Sequence, residues 1–175
     1  MAKINIGDPQ LNFELPGVDG IKHNIKNIQK IKVVIFSCNH CPYAQAWEDR
    51  IIKLQSEFSK HIQVIMISSN DAKQFPDDSF QEMVKRSKEK QFNFPYLYDE
   101  SQEIATLYGA ERTPEVFVFD ASDILKYHGT IDDNYENESE VEKSFLKEAI
   151  ENIINEKNPN PSITEPIGCT IKWKN

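Results

Sequence analysis

Cys38 and Cys41 are the residues of this 175-residue chain best suited to covalent chemistry. They enclose Asn39 and His40, and Pro42 follows directly. Two thiols at this spacing can close a disulfide, and a thiolate is the species that attacks disulfide sulfur. The preceding run, residues 32–37 (KVVIFS), is β-branched and aromatic without alternation, which suits a strand buried on both faces. After it, Ala44, Trp47, Ile51, Leu54 and Phe58 recur at three- and four-residue steps, a helical pattern over 43–58. Pro42 fits the first turn of that helix. Cys38 is therefore expected at a helix N-terminus, where free N–H groups and the macrodipole favour a thiolate. Cys41, about one turn further on, would release a mixed disulfide formed at Cys38. Asn39 and His40 would tune the centre, and a His40 turned toward the sulfur would stabilise the reduced form.

A Cys-x-x-Cys pair also begins many zinc sites. No second such pair exists, and His23, His61 and His128 are scattered, so redox use is the expectation and no metal or other cofactor is assigned. Three cysteines are too few for a disulfide scaffold. The net charge of −8 disfavours a phosphate backbone, so nucleic acid is not an expected partner. No run approaches the roughly 18–20 apolar residues that span a bilayer, and residues 1–13 do not read as a leader, so a cytoplasmic address is expected.

The rest of the chain supplies elements to hold this centre. Residues 7–25 read as an N-terminal hairpin turning at Pro16-Gly17-Val18-Asp19-Gly20. Further core strands are expected over 63–68, 94–99, 115–120 and 124–130. Ser79 should cap a helix to about Lys90, with Phe80, Met83 and Val84 inward, and Ser101 a short helix that Gly109 ends. A last amphipathic helix is expected over 140–154. Parallel strands joined by crossover helices make an α/β domain over 1–158. Residues 159–175 form a tail in which Cys169, Ile171 and Trp173 alternate with polar residues, so it should dock on the body. The alternation favours a buried, inert Cys169, with a third redox thiol as the other reading.

The order strand, Cys-x-x-Cys-Pro, helix, Thr113-Pro114, hairpin and helix resembles the thioredoxin superfamily. The phrases FSCNHCPYAQAWEDRI, GAERTPEVFVFD, YHGTIDDNY and GCTIKWK resemble peroxiredoxin-like proteins near the alkyl hydroperoxide reductase/thiol-specific antioxidant (redoxin) families. The likeness runs over nearly the whole chain. It implies a thioredoxin-like fold, a central mixed sheet flanked by helices, and redox chemistry on a protein or small-molecule disulfide with a cellular thiol reductant. It also implies a cis Thr113–Pro114 bond facing the cysteines, with the Thr113 backbone exposed as a docking edge for substrate. Two departures stand out: Ser37 replaces the usual Trp, and the strand before Cys38 begins with Lys32 where a buried acid is usual. Glu115 is one candidate for the missing acid, an exposed strand-edge charge being the plainer reading.

A thiol peroxidase is the rival enzyme. Peroxiredoxins resemble one another in Pro-x-x-x-Thr/Ser-x-x-Cys, and neither cysteine satisfies it: Cys41 has Cys38 and Val34 at those positions, Cys38 has Ile35 and Ile31. A binding module without turnover is the non-enzymatic alternative. Asp132-Asp133-Asn134 reads as a solvated turn, Trp47 as a core residue and Tyr43 as a possible flank of the site. Oligomeric state is open.

Overall fold

The computed structural model describes residues 3–175; the first two residues of the segment read for a leader lie outside them. Its centre is a five-stranded sheet. Strand β1 (Glu14–Pro16) and β2 (Lys22–Asn24) form the expected N-terminal hairpin. They are followed by β3 (Ile31–Ser37), α1 (Pro42–Glu57) and β4 (Ile62–Ser68). Next come α2 (Phe80–Lys90), β5 (Tyr96–Tyr98), α3 (Glu103–Tyr108) and the two-residue β6 (Arg112–Thr113). Then β7 (Glu115–Phe119), β8 (Leu125–Gly129), α4 (Phe145–Ile154) and β9 (Cys169–Thr170) complete the chain. The sheet order is β5-β4-β3-β7-β8, parallel from β5 to β3 and antiparallel from β3 to β8.

Every residue of β3 is buried, because the sheet is covered on both faces. Alternate strand residues therefore enter two cores. Val33, Ile35, Val64, Met66, Val116 and Val118 meet α1, α2 and α4 through Trp47, Ile51, Met83, Leu146 and Ile150. Val34, Phe36, Ile65, Ile67, Phe117 and Phe119 meet α3, the hairpin and, from the tail, Ile171. Tyr108 packs edge-on against Phe36, Phe117 and Phe119 in that second core.

Ser79 caps α2 as expected, accepting from Glu82 N–H, and Met83 is its fully buried residue while Phe80 and Val84 stay half-buried. Two helix starts differ from the periodicity. The last helix begins at Phe145, because residues 138–140 wind into a separate 3₁₀ turn and the backbone N–H groups of Glu142 and Lys143 bond the Asp133 carboxylate instead. The short helix takes its cap from the buried Asp99, which accepts from Ile104 and Ala105 N–H; Ser101 accepts from Glu103 N–H and donates to Asp99. Asp132 is not in a solvated turn: it is buried and accepts from Trp47 Nε1 at 2.9 Å and Arg50 at 2.7 Å.

The tail docks along the second core. Its Ile171 N–H donates to Glu111 O at 2.9 Å, and Ile171 keeps 3% of its surface. Further back, the carbonyl and N–H of His128 pair with Thr164 and Ser162. The strand-like alternation is realised unevenly, since Trp173 is exposed and Cys169 half-buried.

Candidate active site

Strand β3 ends in the loop 38–41, and α1 begins only at Pro42. Cys41 is the helix N-cap, with extended backbone (φ −69°, ψ 121°). A residue before proline is pushed away from helical geometry, so Pro42 delays the helix by three residues past Cys38. The sulfurs are thus brought together by a loop, not by successive turns of one helix face. The helix-terminal donor consequently acts on Cys41, through Ala44 N–H, and not on Cys38 as the spacing suggested.

Asn39 holds the loop. Its side chain accepts from Tyr96 Oη at 2.8 Å and donates to Asp77 O at 2.9 Å, while its carbonyl accepts from Gln45 at 2.6 Å. Its N–H donates to Asp78 Oδ1 at 2.8 Å, joined there by the N–H of His40 at 3.2 Å. Asp78 Oδ2 accepts from Asn70 Nδ2 at 2.8 Å and binds His40 Nδ1 closely. The His40 ring stacks on Phe75, centroids 5.7 Å apart. Asp78 is fully buried and no sequence signal marked it: it follows Pro76 in a stretch that reads only as a loop. It brings negative charge beside Cys38, which the apolar strand β3 does not.

Cys38 Sγ, the His40 ring and the Asp78 carboxylate place ligand atoms within 4.8 Å of one another. Both Asp78 oxygens already accept two hydrogen bonds each, so this geometry describes a clamp on His40 and the loop.

Thr113 and Pro114 are joined by a cis peptide bond, as the resemblance implied. Thr113 faces both thiols: its hydroxyl lies 3.6 Å from Cys38 Sγ and its carbonyl 3.1 Å from Cys41 Sγ. Its backbone edge is not exposed. The tail strand β9 pairs with it antiparallel, Thr113 opposite Cys169, and Thr113 is fully buried. Cys38 keeps 2% of its surface and Cys41 none, so no substrate reaches either sulfur while the tail is docked. Tyr43 and Cys169 pack against the cysteines.

The three cysteines are free thiols. Cys38 is pushed strongly upward, first by donating its proton to Cys41, then by burial and by the charge of Asp78. Cys41 is pushed down, first by accepting from Cys38, with burial opposing and further donors from Cys169 and Ala44 N–H assisting. The pair shares one proton and titrates as a unit. When Cys41 carries the proton, the Thr113 carbonyl accepts it at 3.1 Å.

Glu115 is neither the missing acid nor a surface charge. It is buried and committed to Glu111 N–H, Arg112 N–H and His128 Nε2, so it shapes the β6–β7 corner that presents Thr113. Lys32 is buried too, its ammonium paired with Asp123.

The sequence pattern of the AhpC/TSA family matches residues 6–128. The chain belongs to the AhpC/TSA family. Its fold is thioredoxin-like, and no functionally curated protein matches it significantly. Among solved structures, an uncharacterized conserved protein from Geobacillus kaustophilus is 32% identical, with a TM-score of 0.92 over 99% of this chain and 95% of that one. A hypothetical protein from Sinorhizobium meliloti 1021 is 30% identical, with a TM-score of 0.91 over 98% and 96%. A thiol-disulfide oxidoreductase from Bacteroides fragilis NCTC 9343 shares the fold at 16% identity, with a TM-score of 0.58 over 69% and 89%. The AhpC/TSA match ends at His128, so α4 and the tail lie beyond it, whereas the two structures at 30% identity or more cover the chain almost to its ends. No helix among the described residues is long and apolar enough to cross a membrane.

Proposed function

We propose that this AhpC/TSA protein is a thiol–disulfide oxidoreductase in which Cys38 attacks and Cys41 resolves. The observation that carries the reading is the placement of both sulfurs against Thr113; the opposed shifts of the two thiols fit one proton held between them. Transfer of that proton from Cys38 to Cys41 makes Cys38 the thiolate, and the Thr113 carbonyl accepts the new Cys41 S–H. The Cys38 thiolate attacks a substrate disulfide, forming a mixed disulfide and expelling a substrate thiolate that takes the Cys41 proton. The Cys41 thiolate then attacks Cys38, closing Cys38–Cys41 and releasing the second substrate sulfur as a thiolate, which takes its proton from solvent. His40, half-buried and held by Asp78, offers a proton route to solvent. A cellular thiol reductant resets the pair.

Family membership keeps peroxide as the second substrate class, and the Thr113 hydroxyl, 3.6 Å from Cys38 Sγ, is a group beside the sulfur able to orient it. Purified protein is expected to reduce a model protein disulfide with a dithiol donor and to lose this activity in Cys38→Ser. Peroxide consumption without disulfide reduction would replace the reading with a peroxidase. Neither activity would leave a binding module.

A further inference from the structure

The interchange of Cys38 and Cys41 leaves the third sulfur without a role. We propose that Cys169 is a third redox thiol, and that its strand β9 is the resident occupant of the Thr113 edge, placing Cys41 between two disulfide partners. This inference rests on the Cys38–Cys41 reading.

The docking is specific in backbone and side chain. Arg112 pairs with Thr170 and Thr113 with Cys169, and the Thr113 hydroxyl also donates to the Cys169 carbonyl at 3.5 Å. Gly168 lies so close that a Cβ there would stand 2.2 Å from Thr113 O. Beyond β9, Lys172 N–H donates to Asn70 Oδ1 at 2.9 Å, and the same Asn70 donates to Asp78. One side chain thus ties the tail to the carboxylate that clamps His40. The Lys172 ammonium sits 5.7 Å over Phe75, on which His40 stacks. A bound peptide adding a strand at Thr113 would take the same backbone groups. Substrate and tail therefore compete for one edge.

The chemistry closes without an outside oxidant. In the Cys38–Cys41 disulfide, a Cys169 thiolate attacks Cys41 Sγ. The Cys41–Cys169 bond forms as Cys38–Cys41 breaks, and Cys38 leaves with the electron pair and takes up the proton that Cys169 gave up. The oxidised protein then stores its disulfide across the docking edge and locks the tail down. In the reduced protein Cys169 is pushed up to about 11, first by partial burial and then by neighbouring Cys41; because the thiolate is the attacking species, the exchange quickens with rising pH. Reset is favoured at Cys169. It is the one of the three sulfurs that is only half-buried, and an incoming thiolate striking it expels Cys41, the better leaving group.

Full-length protein is treated with one equivalent of diamide, quenched in acid, alkylated and mapped for disulfides by mass spectrometry. Cys169→Ser is expected to hold Cys38–Cys41. Cys38→Ser, and Cys38→Ala as a second background, should close Cys41–Cys169 within one chain. Two free thiols or a chain-to-chain disulfide in both backgrounds, with Cys38–Cys41 intact in Cys169→Ser, overturns the role of Cys169 and spares the dithiol reading. Loss of Cys38–Cys41 in Cys169→Ser overturns the dithiol reading, and this inference with it. Occupancy of the edge is read separately. Gly168→Ala should raise iodoacetamide labelling of Cys41 in the reduced protein by about tenfold, the effect of losing one or two net hydrogen bonds. An unchanged rate overturns it.

Discussion

Cys41 carries two opposing demands. It is buried completely, which disfavours charge, yet it accepts from the Cys38 thiol, Cys169 and Ala44 N–H. The donors prevail, so the reduced protein should show thiolate ultraviolet absorbance well below the ordinary cysteine range. Cys41→Ser should abolish that absorbance at neutral pH, while Cys38→Ser should retain most of it. Asp78 acts in the opposite sense on Cys38, where its charge disfavours a second anion. Asp78→Asn keeps an acceptor for the N–H groups of Asn39 and His40 but removes the charge. The Cys38 thiolate gains stability relative to its thiol, so the proton moves to Cys41 more readily and attack of the reduced protein on a model disulfide should quicken. Stopped-flow reaction with a small aromatic disulfide measures this, and a slower attack would contradict the assigned role of Asp78.

Helices α1 and α2 are joined by two ion pairs, Lys90 with Asp49 at 2.6 Å near the surface and Arg86 with the buried Glu48. Arg86 reaches Glu48 through two hydrogen bonds, at 3.1 and 2.5 Å, and Glu48 is buried on the inner face of α1. Burial pushes the Glu48 carboxyl up, against the pull of Arg86. Arg86→Ala would leave that charge unpaired and should cost about 3 kcal/mol at neutral pH. The sign follows from linkage: a carboxyl raised further in the folded state binds its proton more tightly than in the unfolded chain. The loss should therefore shrink as pH falls through the raised folded value and grow above it. Denaturant midpoints of both proteins across that range test this, and a pH-independent difference would be the contrary result.

Across the whole molecule, the tail contributes to the second core and covers the site at once. Ile171 joins Phe36 and Tyr108 in one buried cluster, two residues from Cys169. Ile171→Ala should cost about 2–4 kcal/mol and shift the unfolding midpoint accordingly. It should also speed alkylation of Cys41, because the same contact holds β9 on Thr113. A destabilised protein with unchanged thiol access would show that core and cover are uncoupled.

The order of elements, the thioredoxin-like class and the Cys38–Cys41 pair were legible in the chain because they rest on local signals. Those signals are β-branched runs, helical periodicity, a proline in the first turn and a three-residue cysteine spacing. The start of α1 at Pro42 was legible, whereas two other helix starts were legible only roughly, since Asp99 and Asp133 draw backbone N–H groups to decide them. The acid near Cys38 was not legible. It comes from a turn 40 residues away, and only the meeting of β3 with the loop after β4 brings Asp78 under His40. Nor could spacing show that the Thr113 edge is filled by the chain's own residues 169–170. Strand pairing between segments 56 residues apart depends on how the second core seats Ile171, and that is a property of packing, not of pattern. The sequence by itself determined which two thiols stand three residues apart between a buried strand and a helix. The tertiary structure decided which acid faces them and what covers them.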